Sequence, residues 1–111
     1  MENILEKIIK QKKEDLKAVK VRNSLSAIDN KIKSIDNFLD FKKVLTNNQK
    51  QEKVSLIAEI KKASPSAGII IKDFDHVKIA NLYSDNKATC LSVLTEEKFF
   101  LGSLRYISEI K

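Results

Sequence analysis

The chain has 111 residues, with 21 Lys/Arg against 15 Asp/Glu for a formal net charge of +6, and it contains one cysteine and one histidine. At 42% apolar and 32% charged residues it has the composition of a single globular domain with a modest core. One cysteine excludes an internal disulfide, a lone histidine argues against zinc, and no apolar run approaches the roughly 20 residues of a membrane span.

Met1-Glu-Asn starts no signal peptide, which points to a cytoplasmic protein. The positive charge is uneven: residues 1–54 hold 13 Lys/Arg against 8 Asp/Glu, and residues 55–111 hold 8 against 7. From Asn3 to about Val21 the pattern is helical, with Ile4, Leu5, Ile8, Ile9, Leu16 and Val19 near one stripe and charged residues opposite. Asn3 suits the N-cap. A basic helix can attract phosphate or nucleic acid. Here acids interleave with the lysines and no aromatic precedes Phe38, so the basic side reads as a solvated face and no nucleic-acid partner is expected. No membrane partner is expected either, because the stripe lacks Trp and Phe.

Residues 22–36 are polar, with Ile28, Ile32 and Ile35 marking a helical turn or two. Residues 36–45 predict a second short helix, with Phe38, Leu39, Phe41 and Val44 or Leu45 on its apolar side. Residues 46–53 read as a polar loop that closes an N-terminal helical region of residues 1–53.

Residues 54–61 read as a strand. Side chains alternate faces, so Ile57, Glu59 and Lys61 share one side while Leu56, Ala58 and Ile60 take the other. An apolar face covered by helices, with Glu59 and Lys61 at the carboxyl end of the opposite face, fits a barrel strand delivering charge to a site. A solvated strand end beside a turn is the plainer alternative. Ser64-Pro65-Ser66 stops the strand, and Gly68 allows a sharp reversal.

Ile69, Ile70 and Ile71 form an apolar stretch in the following loop. Asp73 or Asp75 can cap a helix running to about Ser84, with Val77, Ile79, Ala80, Leu82 and Tyr83 on its buried side. A second strand spans residues 89–95, a repeat of about 34 residues that suits a βα unit. Cys90 lies within it and reads as a small core residue rather than a nucleophile. The acidic-aromatic loop Glu96-Glu-Lys-Phe-Phe100 follows. Gly102-Ser103 then turns into a helix that Ser103 caps, with Leu104, Ile107 and Ile110 facing inward.

Two of these stretches carry a resemblance. Ala58-Glu-Ile-Lys-Lys-Ala-Ser-Pro-Ser66, with Gly68 beyond it, resembles the first barrel strand and loop of indole-3-glycerol phosphate synthase. Leu91-Ser-Val-Leu-Thr-Glu-Glu-Lys-Phe-Phe100, with Gly102-Ser103, resembles that family's second strand and loop. The motifs stand in the family's order, one βα unit apart. In two places the chain departs from the pattern. His76 stands where a proline is common, and Lys87 stands where a glycine usually follows the helix at positive φ. Lysine there costs on the order of 1 kcal/mol if that geometry is kept.

The resemblance implies an α/β chain: the N-terminal part of a (β/α)8 TIM barrel, with a helical extension at residues 1–53 and the first two βα units at 54–111, the barrel not closed. A complete barrel needs roughly 200 to 250 residues or more. It further implies a lyase of tryptophan biosynthesis. That enzyme closes a ring on 1-(2-carboxyphenylamino)-1-deoxyribulose 5-phosphate, with decarboxylation and loss of water, to give indole-3-glycerol phosphate. The partner would be a small sugar phosphate, with no metal and no organic cofactor.

By the same resemblance, Lys61 binds anionic substrate groups, and Glu59 assists proton transfer and holds the lysine. Ser64 hydrogen-bonds near the substrate, and Phe100 supplies an apolar wall. Ser92 and Leu94 point into the barrel, and Ile69, Ile70 and Ile71 lie beside the substrate, although packing against the first helix explains them equally well. The family's principal general acid, a strand-three lysine in a Lys-Asp-Phe motif, has no counterpart after the second strand, and the later catalytic residues are missing too. The expectation is therefore a truncated synthase, inactive alone and marginally stable. The alternatives are a non-catalytic module that binds a phosphate ligand or a partner, and one half of a split enzyme completed by a complementary barrel fragment.

Overall fold

The computed structural model describes residues 1–111 and divides into two compact units, Met1–Leu39 and Asp40–Lys111. The first holds two helices, α1 (Ile4–Arg22) and α2 (Leu25–Lys33). Asn3 caps α1 reciprocally: its side chain accepts the Glu6 N–H while the Glu6 carboxylate accepts the Asn3 N–H, each at 2.9 Å. Ser24 caps α2 by accepting the Ala27 N–H at 3.1 Å. The short helix expected around Ile28 and Ile32 is thus a full two turns and more.

The second unit opens on α3 (Phe41–Lys50). Its start lies later than the residue 36 that the sequence pattern predicts, because Asp40 is the cap, its carboxylate accepting the Lys43 N–H at 2.8 Å. Residues 46–50, expected as loop, continue the helix. The Thr46 hydroxyl donates back to the Lys42 carbonyl at 2.9 Å, a bond that competes with the helix but does not end it here. The helix ends with Glu52 at φ 55°, where Lys53 N–H reaches the Asn48 carbonyl and Glu52 N–H the Gln49 carbonyl.

A parallel pair follows, β1 (Ile57–Ile60) and β4 (Cys90–Val93), in the register Ile57–Cys90, Ala58–Leu91, Glu59–Ser92 and Ile60–Val93. Between them lies α4 (His76–Asp85), capped by Asp75, whose carboxylate accepts the Lys78 N–H at 2.9 Å. This is a βαβ unit, and α4 packs on β1. The alternation read from the sequence holds within β1, where Ala58 and Ile60 are buried, Ile60 to 1% exposure, and Ile57 and Glu59 face outward; Leu56, expected on the covered face, precedes the strand and is exposed. Ala63, Ala80 and Cys90 complete the buried core, and Cys90 is a free thiol within it.

Each strand of the pair has a neighbour on one edge only. A second, antiparallel ladder of β2 (Ala63–Ser64) and β3 (Gly68–Ile69) was not foreseen. β1 ends at Ile60, ahead of the Ser64-Pro65-Ser66 stop expected from the sequence, and Gly68 at φ 65° turns the chain back so that Ile70 N–H meets the Lys62 carbonyl at 2.8 Å. Ile69, Ile70 and Ile71 are exposed in this hairpin.

The chain closes on α5 (Arg105–Ile110), which contacts α4. The helix proper begins one residue later than a Ser103 cap predicts, although the Ser103 hydroxyl still accepts the Arg105 N–H at 3.2 Å. His76 at the start of α4 stacks on Tyr106, ring centres 4.1 Å apart, and pairs with the Glu109 carboxylate, which also takes Arg105 at 3.0 Å.

Candidate active site

The site is built on the exposed face of β1. Glu59 stands on that face, and Lys61, the residue directly after β1, brings its ammonium to the same side. The Lys61 ammonium lies 3.1 Å from Glu59 Oε2, with the lysine side chain 30% exposed and the glutamate 47%. The in-register partner of Glu59 on β4 is Ser92, whose hydroxyl donates to Glu59 Oε1 at 3.1 Å. One carboxylate oxygen is therefore held by a hydroxyl and the other by a cation. From the helix side, the Tyr83 hydroxyl of α4 donates to the Glu59 main-chain carbonyl at 3.0 Å.

Phe100 arrives from the loop after β4. Its ring centre lies 5.8 Å from Lys61 Nζ, within reach of a cation–π contact. What shapes this loop is Glu96. Its carboxylate accepts the main-chain N–H groups of Lys98 at 3.0 Å, Phe99 at 2.7 Å and Phe100 at 3.1 Å, and its carbonyl accepts that of Gly102 at 2.8 Å. Leu101 completes the turn at φ 52°. Gly102 lies so close to β4 that a Cβ there would sit 2.1 Å from the Leu94 carbonyl oxygen.

Three of the four residues singled out from the sequence, Glu59, Lys61 and Phe100, thus come together. Ser64 differs: its hydroxyl accepts the Ala67 N–H at 3.2 Å and lies 3.4 Å from the Ser66 hydroxyl, contacts made within its own hairpin. Sequence reasoning placed Ser92 on the inner face without giving it a partner, and it missed the bracing by Glu96 and Tyr83. The 33-residue separation of Glu59 and Ser92 was the available signal, since equal positions on parallel strands one βα repeat apart fall side by side. No three His, Cys, Asp or Glu side chains gather as a metal site.

A carboxylate and an ammonium group at the carboxyl end of a parallel strand, facing an aromatic loop, give an α/β protein with the means to hold an anionic ligand and move a proton beside it. Residues 5–111 match the family model for indole-3-glycerol phosphate synthase, and the chain belongs to that family. It is 47% identical over 108 residues to the indole-3-glycerol phosphate synthase of Desulforamulus reducens, covering 97% of this chain and 40% of that protein. The synthase of Alkaliphilus metalliredigens is also 47% identical with the same coverage. That of Aliarcobacter butzleri is 44% identical, covering 97% of this chain and 41% of its own length. The chain thus spans about 40% of the length of the curated relatives it matches. No helix is long and apolar enough to cross a membrane.

Proposed function

We propose that these residues form the helical extension (1–53) and the first two βα units (54–111) of a cytoplasmic indole-3-glycerol phosphate synthase barrel, and with them one wall of its active site. The observation that carries this reading is the Glu59–Lys61 pair, 3.1 Å apart on the exposed face of β1, with Phe100 beside the lysine. Ring closure develops negative charge at the carbonyl oxygen of the substrate, which a fixed cation stabilises, while the carboxylate gives its electron pair to the ring and leaves as neutral carbon dioxide. Lys61 takes the anionic group, Glu59 holds the lysine and relays a proton, and Phe100 lies against the aromatic ring of the substrate. Ser64 contributes a hydrogen bond once its hairpin is covered.

These residues hold only part of the constellation, and groups that act as a unit lose most of their effect without their partners. Turnover therefore needs the later strands of the barrel beside these two. The open edges of β1 and β4 and the exposed Ile57, Leu56 and Leu101 are where those strands and their helices pack. The test is to mix the 111-residue chain with the segment of the Desulforamulus reducens synthase beyond the matched region, and to follow indole-3-glycerol phosphate formation. Turnover by the mixture and by neither part alone is expected. A silent mixture, or a lone chain as fast as the mixture, would overturn the proposal.

A further inference from the structure

We infer that Ser92 is a positioning residue of this site, one that fixes the rotamer of Glu59 and so the place of the Lys61 ammonium. The inference rests on the active-site reading above and adds to it a residue on a different strand. Lys61 is tethered to β1 by a four-carbon stem with many rotamers, and exposed ion pairs are loosely held. Here the carboxylate that receives the lysine is clamped. Ser92 Oγ donates to Oε1 at 3.1 Å, leaving Oε2 turned to Lys61 at 3.1 Å.

The clamp depends on register. Glu59 and Ser92 are directly paired on parallel strands, so their side chains leave the sheet on the same face. Behind them the Tyr83 hydroxyl holds the Glu59 carbonyl at 3.0 Å, which fixes the main chain from which that side chain departs. Serine suits the position because its hydroxyl is short, rotates freely and donates without carrying charge. Alanine removes the donor and leaves Glu59 Oε1 to water, and the carboxylate then gains rotamers that turn it away from Lys61. Threonine keeps the donor.

Two measurements test this. In the reconstituted enzyme, Ser92→Ala is expected to lower kcat about tenfold with a smaller change in KM, and to alter the pH–rate profile, whereas Ser92→Thr restores both. In crystals of the Ser92→Ala chain, the Glu59 carboxylate is expected to leave Lys61, with the separation beyond ion-pair range. If the wild-type mixture turns over and Ser92→Ala matches it in kcat and pH profile, the positioning role is overturned while the proposed function stands. If the wild-type mixture is silent, the proposed function fails, and the crystal structure decides about Ser92 by itself. A Glu59–Lys61 distance unchanged in the variant overturns the clamp.

Discussion

The Tyr83 hydroxyl on α4 donates to the main-chain carbonyl of Glu59 on β1 at 3.0 Å, so the crossover helix grips the strand at the residue whose side chain faces the site. The bond links residues 24 apart in sequence and adds to the packing of α4 on β1, where Ala58, Ile60 and Ala80 are buried. Tyr83→Phe keeps the ring and removes only the donor. It is expected to destabilise the chain by about 1 kcal/mol, read as a lower urea midpoint with unchanged slope. An unchanged midpoint would show that the bond adds nothing to the packing.

Lys87 sits at φ 65° immediately after α4, with its N–H on the Ser84 carbonyl and the next N–H, of Ala88, on the Tyr83 carbonyl. This is the hydrogen-bond pattern of a helix end that favours glycine, occupied by a residue with a Cβ. Lys87→Gly is expected to stabilise by about 1 kcal/mol, because the left-handed strain disappears while both hydrogen bonds remain. Lys87→Ala serves as the control and gains nothing comparable. Thermal denaturation of the two variants checks the sign.

The parts of this fold that local chemistry decides were legible in the sequence. The alternation through Ala58, Glu59, Ile60 and Lys61 gave the strand and its two faces, the Asn3 cap gave one helix start, and Asp73 or Asp75 offered another that the structure assigns to Asp75. The positive φ at Lys87 was legible only through the family resemblance, whose pattern has a glycine there. What the sequence left open depended on competition between similar signals. Asp36 and Asp40 are equally good caps by type, and only the structure selects Asp40. The 63–69 hairpin has two-residue strands, too short for any periodicity to show. The site was legible where one strand supplies both groups, as with Glu59 and Lys61. It was not where two elements must meet, as with Ser92 and Tyr83, because pairing register is a tertiary fact.

The two glycines separate backbone strain from lack of room. A Cβ at Gly68 meets no atom within 4 Å, but φ is +65° there. At Gly102 a Cβ would collide with the Leu94 carbonyl oxygen at 2.1 Å. Gly68→Ala is expected to cost about 1 kcal/mol and to leave the Phe100 loop in place. Gly102→Ala must push the loop off β4. It is expected to cost more, about 1–3 kcal/mol, and to break the approach of Phe100 to Lys61. Urea denaturation ranks the two. Nuclear Overhauser contacts between the Phe100 ring and the Lys61 side chain report on the loop, and their survival in Gly102→Ala would refute this account.

Removing the Lys61 charge separates the stability of the pair from its use. The pair is partly exposed, with Glu59 47% open to solvent, and ion pairs of that kind contribute between zero and about 1 kcal/mol. Lys61→Met keeps most of the stem that lies beside Phe100 and loses the ammonium. Its folding stability should therefore stay within about 1 kcal/mol of the parent chain, measured by urea denaturation. Binding of the carboxylated sugar phosphate in the reconstituted enzyme should weaken, and turnover should fall by at least 100-fold, since the fixed cation is what the developing anion requires. Lys61→Arg tests whether charge alone suffices. The guanidinium carries the same charge on a planar fork, so a partial rescue of binding with little rescue of kcat is expected. Full activity in Lys61→Met would show that the ammonium takes no part in the reaction and that the pair only decorates the strand.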